Sequence, residues 1–129
     1  MKCEGDIRSL VKPIAVEDYS YFARGLFVSC SSLTQAPSIL PATTLANKCY
    51  YEMFRGCSSL TKAPELPATT MASSCYHGMF HNCTSLTQAP SILPATTLAD
   101  KCYYNMFAGC TSLTQAPKLP ATTVTGTSY

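Results

Sequence analysis

Apolar residues recur along this chain with a period much longer than a single helix or strand. Aligned on Cys30, Cys57, Cys83 and Cys110, the chain repeats in steps of 27, 26 and 27 residues. Leu-Thr-x-Ala-Pro returns at Leu33, Leu60, Leu86 and Leu113. Leu-Pro-Ala-Thr-Thr returns at Leu40, Leu66, Leu93 and Leu119. Cys-Tyr follows at Cys49, Cys75 and Cys102, then Met-Phe at Met53, Met79 and Met106, with Leu26-Phe27 as a weaker earlier copy. Self-similarity at 20 to 50 residues marks a repeat protein whose units stack, since one unit cannot bury its own apolar face.

Inside a unit the pattern predicts two elements. Ser-Leu-Thr-x-Ala-Pro reads as a short strand, closed by a proline that cannot donate to a ladder. Thr-Thr offers a helix N-cap. From there Leu45, Cys49, Met53 and Phe54 fall on one face of a short helix, and Gly56, Asn82 and Gly109 stand where a helix C′ residue belongs. The expectation is therefore an α/β, right-handed solenoid, with a parallel sheet on one face and short helices on the other. It is a single domain over 1–129: a degenerate cap at 3–29, full repeats at 30–56, 57–82 and 83–109, and a partial repeat at 110–129. After Thr123 the tail Val124-Thr125-Gly126-Thr127-Ser128-Tyr129 reads as having lost both Cys-Tyr and Met-Phe. That leaves an uncovered edge, read as an end-to-end contact or as a cut from a longer array. Residues 30–55 and 83–108 differ at only four positions, which points to duplication of a two-repeat unit and leaves little room for a unique active site.

Composition narrows the partners. Charged residues make up only 12% of the chain and the net charge is +2, too little and too scattered for nucleic acid. No apolar run is long enough for a membrane helix. The segment Met1-Lys2-Cys3-Glu4-Gly5-Asp6 has no apolar stretch behind it, so it does not read as a signal peptide.

The eight cysteines fit the repeat better than a disulfide framework. Two vertical ladders, Cys30/57/83/110 and Cys49/75/102, read as buried thiols, with disulfides between neighbouring rungs disfavoured by parallel side chains. Cys3 reads as the most exposed thiol. Cys75, His77, His81 and Cys83 have the chemistry of a zinc site. However, Tyr51 and Tyr104 replace His77 in other copies, and Arg55 and Ala108 replace His81. No metal or cofactor is therefore expected, and with no nucleophile set outside repeat positions, no enzyme either.

Met79-Phe80-His81-Asn82-Cys83-Thr84-Ser85-Leu86 resembles the Ala-Phe-x-x-Cys-x-x-Leu signature of the BspA-like, or Treponema pallidum-type, leucine-rich repeats. The Leu-Pro-Ala-Thr-Thr form looks like surface repeats of gut Bacteroidales. The unit here is longer than the family's, and alanine stands where a bulky aliphatic residue is usual. The resemblance implies a leucine-rich-repeat fold, a cell-surface or secreted location, and adhesion to host matrix proteins, microbial surfaces or glycans, without catalytic residues.

Positions that differ between copies are the solvent positions, because a core cannot vary freely. They give the candidate binding surface: Gln35, Lys62, Gln88 and Gln115 in the strand segment; Glu65 and Lys118 after the proline; Tyr51, His77 and Tyr104 on the outer helical face. The expected function is a binding or adhesion module for protein or glycan. The alternative is a self-assembling structural part, such as a spacer or a component of a phage particle.

Overall fold

A computed structural model describes residues 23–128. Most of the cap expected at 3–29, the exposed thiol expected at Cys3, and Tyr129 lie outside the described residues. Among the described residues the named elements are two parallel strands, β1 (Thr97–Leu98) and β2 (Thr123–Val124), paired Thr97 to Thr123 and Leu98 to Val124. There is no helix among them.

This overturns the expected α/β leucine-rich-repeat solenoid with a helical face. The segments assigned to helices are runs of successive β-turns. Lys48, Glu52 and Gly56 have φ of 58°, 50° and 73°. Ser74, Gly78 and Asn82 repeat the pattern, as do Lys101, Asn105 and Gly109. A left-handed residue at every fourth position cannot belong to an α-helix, whose residues all share negative φ.

The sequence mimicked a helix because a four-residue spacing is close to one helical turn. In a helix, residues four apart drift by about 40° per step, so a strict run of fours leaves the buried face. In the turn run it never drifts. Cys49-Tyr50, Met53-Phe54 and then Cys57 all stay inside, each at most 5% exposed.

Hydrogen bonding explains why the turns are stable without a helix. Within a run, N–H groups donate three residues back: Cys49 to Ala46, Tyr51 to Lys48, Met53 to Tyr50 and Arg55 to Glu52. The alternating N–H groups, on Lys48, Tyr50, Glu52, Phe54 and Gly56, donate to the next repeat, at Ser73, Cys75, His77, Met79 and His81, over 2.8–3.0 Å. The same ladder joins 74–82 to 100–108. Each backbone donor of the runs 48–56 and 74–82 is thus satisfied either locally or by its neighbour, as buried backbone requires.

Successive repeats therefore lie on one another as tiers, and like residues stack on like. Phe27, Phe54, Phe80 and Phe107 form a column with centroids 5.4, 5.6 and 5.5 Å apart and near-parallel planes. Tyr50, Tyr76 and Tyr103 form a second, spaced 5.8 and 6.1 Å. Leu33, Leu60 and Leu86 are fully buried, while Leu113 is half-buried on the last tier. The expected Thr-Thr cap is absent. Thr44 instead bridges Thr70 in parallel, and Thr43 accepts from the N–H groups of Thr69 and Thr70.

The edge opposite the turns pairs in alternate tiers. The tiers starting at Cys30 and Cys83 carry an extra residue between prolines, Pro37 to Pro41 against Pro64 to Pro67. Ile39 pairs with Glu65, and Ile92 with Lys118. Between the second and third tiers pairing moves to Lys62 and Gln88, where Ala63 donates to Gln88 and Gln88 to Thr61.

The tail does not lose the repeat at Thr123. Ser128 is 2% exposed, and its hydroxyl donates to the carbonyls of Ala99 and Thr125, at 3.0 and 2.9 Å. Tyr103 N–H donates to the Ser128 carbonyl. Ser128 thus stands in the cysteine register, with an oxygen for the sulfur.

Candidate binding groove

Where the first and second tiers fail to pair, a groove of about 370 Å³ opens, lined by Gln35, Lys62 and Gln88 together with Thr34, Thr61, Thr87 and the Pro37 corner. The splaying follows from the extra residue. Pairing of these two tiers is made at Ile39 and Glu65, which leaves Gln35 and Lys62 with no mutual hydrogen bond.

The groove collects three of the residues singled out by variation between copies. Gln35, Lys62 and Gln88 are all exposed. Gln115 is exposed but lies on the last tier, outside the groove lining. Glu65 is half-buried, its carboxylate accepting from the Ser91 hydroxyl at 3.2 Å, and Lys118 is exposed. Neither lines the groove.

Tyr51, His77 and Tyr104 are not on a helix. They form a third column on the turn face, half-buried, with Tyr51 on His77 at 4.6 Å and His77 on Tyr104 at 5.3 Å. The Arg24 guanidinium caps it 5.1 Å from the Tyr51 ring centre, a cation over a ring face. Burial between the rings pushes the His77 pKa down, against the pull of Glu52; Lys101 and His81 add to the lowering. With their faces turned to each other, these rings offer a partner mainly edges.

The cysteine columns are interior. Cys49, Cys57, Cys75, Cys83 and Cys102 are buried; Cys30 and Cys110 are half-buried, and all seven are free thiols. The Sγ–H of Cys57, Cys83 and Cys110 donates to the carbonyl of Phe27, Phe54 and Phe80 at 3.0–3.1 Å. That bond ties each tier to the one before it. Burial raises the thiol pKa of Cys49 and Cys57 to about 11, and of Cys75 to about 12. A thiol held protonated is a poor nucleophile and a poor ligand. Among the described residues no three His, Cys, Asp or Glu side chains gather to hold a metal ion.

Sequence reasoning missed two features. Ser128 was concealed because serine does not read as cysteine, although the spacing from Cys102-Tyr103 carried the signal. The groove was concealed because it depends on which tiers pair. Its only trace in the sequence is the alternation of 27 and 26 residues. Comparison of the chain with family models, with curated proteins and with solved structures finds no match.

Proposed function

We propose that this chain is a non-catalytic binding module of the adhesion type, presenting the groove face to protein or glycan partners on a host matrix or a microbial surface. The observation that carries the reading is the separation of positions. The repeated Cys, Met and Phe residues are mostly interior, while Gln35, Lys62 and Gln88 are brought to one groove. Buried, protonated thiols support a reading without covalent catalysis. The likeness of the Met-Phe-x-x-Cys-x-x-Leu string to BspA-like repeats supports attachment as the task, and a surface or secreted location with it.

The test is capture of extracellular-matrix proteins, mucins and whole microbial cells by the immobilised chain. Negative charge placed across the groove (Gln35→Glu, Lys62→Glu and Gln88→Glu together) is expected to abolish capture while leaving the melting temperature nearly unchanged, because the three side chains are exposed. Capture that survives the triple substitution contradicts the reading.

A second reading, self-assembly, has one observation in its favour. The N–H groups of Asn105, Phe107 and Gly109 have no partner among the described residues. Their counterparts Gly78, Phe80 and Asn82 donate to Tyr104, Met106 and Ala108. An unpaired row of donors is a template for another edge. Light scattering separates the readings: particle size that grows with concentration favours assembly, and a constant monomer favours display.

A further inference from the structure

We propose that the groove takes an acidic saccharide, its hydroxyls meeting the backbone of Lys62 and its carboxylate meeting the Lys62 ammonium. The inference rests on the groove being the binding face, and names the ligand class for it.

The first argument is the backbone. In a parallel ladder the groups of successive residues alternate in direction. Thr61 C=O and Ala63 N–H are both used by Gln88. The N–H and C=O of Lys62, between them, therefore point the other way, toward the first tier. Neither has a partner among the described residues. The Lys62 wall thus offers one donor beside one acceptor. A hydroxyl both donates and accepts, so it suits such a pair. A polyol supplies several hydroxyls in a row. An inserted peptide strand does not fit, because Ile39 and Glu65 pair across the same two tiers only four residues from Gln35.

The second argument is charge. Glutamine holds the equivalent position in the other copies, at Gln35, Gln88 and Gln115, so Lys62 is the exception. It stands between the amides of Gln35 and Gln88 in the lining, which contains no carboxylate. One ammonium flanked by two amides, with Thr34, Thr61 and Thr87 around it, selects a ligand that sets a carboxylate among hydroxyls. No aromatic ring lines the groove, so affinity comes from hydrogen bonds and charge rather than ring stacking, and it falls with salt.

The test is titration calorimetry of the 129-residue chain with oligogalacturonate, beside a neutral galactan oligomer of equal length. The variant is Lys62→Gln, which installs the residue the other tiers already hold and so keeps the fold; an unchanged melting curve checks this. The expected result is binding of oligogalacturonate, weakened about fivefold by Lys62→Gln as for loss of an exposed ion pair, and weakened by salt in the parent chain. Failure of the parent chain to bind oligogalacturonate overturns the inference. So does equal binding by Lys62→Gln, or equal binding of the acidic and neutral oligomers. A chain that captures matrix protein but neither oligomer keeps the adhesion reading and loses this one. A chain that captures no protein or cell, yet binds oligogalacturonate through Lys62, supports this inference while protein and cell adhesion fails.

Discussion

At the residue scale the informative side chains are the thiols. Each is a small apolar body with a weak donor, which suits the column of Cys57, Cys83 and Cys110, where the preceding tier offers a carbonyl about 3 Å away. Native-state alkylation is expected to modify Cys30 and Cys110 first among the described thiols and to leave Cys49, Cys75 and Cys83 untouched until the protein is unfolded. Mass spectrometry of the labelled peptides reads the order, and early labelling of Cys75 contradicts the buried column. The same burial sets a pH dependence. The Cys49 and Cys75 thiols stay protonated in the native state from the ordinary 9.0 up to about 11 and about 12, while the unfolded chain ionises at the lower value. In that window the unfolded state binds fewer protons than the native state, so stability falls as pH rises, by up to roughly 1.4 kcal/mol per pH unit for each of these two thiols. Below pH 9 this contribution is fully present. Chemical denaturation at pH 8 and pH 10.5 measures the loss.

Phenylalanine obeys the same logic with larger areas. Phe80 is fully buried between Phe54 and Phe107. Phe80→Ala leaves a cavity within the column and is expected to cost about 3–5 kcal/mol. Phe27 is half-buried at the other end of the column, so Phe27→Ala is expected to cost clearly less. Equal losses in urea denaturation contradict a column whose interior is packed more tightly than its end.

At the element scale the lesson concerns period. Repeat length, the Leu, Cys and Phe positions and their burial were legible because a recurring apolar residue in a stacked protein has few places to go except inward. The helices were misread because Leu45, Cys49 and Met53 satisfy a helical face over so short a span. The residues that distinguish a turn run are the left-handed ones, and only some of these are glycine or asparagine. Lys48, Glu52, Ser74 and Lys101 carry positive φ without announcing it. They hold it because the N–H groups of Lys48, Glu52, Ser74 and Lys101 each donate to the next tier. Two tests follow from this geometry. Far-UV circular dichroism is expected to lack the paired minima of a helix. Gly56→Ala, placing a methyl 3.3 Å from the Ser29 hydroxyl at φ +73°, is expected to destabilise by about 1–2 kcal/mol.

At the scale of the whole molecule the tiers are not equally joined. All are tied through the turn ladder, but on the opposite edge pairing shifts between Ile39–Glu65, Lys62–Gln88 and Ile92–Lys118. The binding groove is where that shift leaves two tiers apart, so the candidate site is a product of stacking register and not of any single repeat. This is why the variable residues could be named from sequence, while their convergence could not. Amide hydrogen exchange maps the arrangement directly. In the turn ladder, Tyr76, Gly78 and Phe80 N–H, which donate to Cys102, Tyr104 and Met106, are expected to exchange slowest, through global opening. Ala63 N–H, bonded to Gln88 at 2.9 Å, is expected to be protected while its neighbour Lys62, facing the groove, exchanges fast. Asn105, Phe107 and Gly109 are expected to exchange fast in the monomer despite the half-burial of Phe107. Protection that appears at Lys62 on adding an acidic saccharide places the ligand between the first two tiers. Protection that instead appears at 105, 107 and 109 as concentration rises places a partner on the open edge. Because the two sets of amides lie on different tiers and in different segments of the repeat, one experiment separates display from assembly.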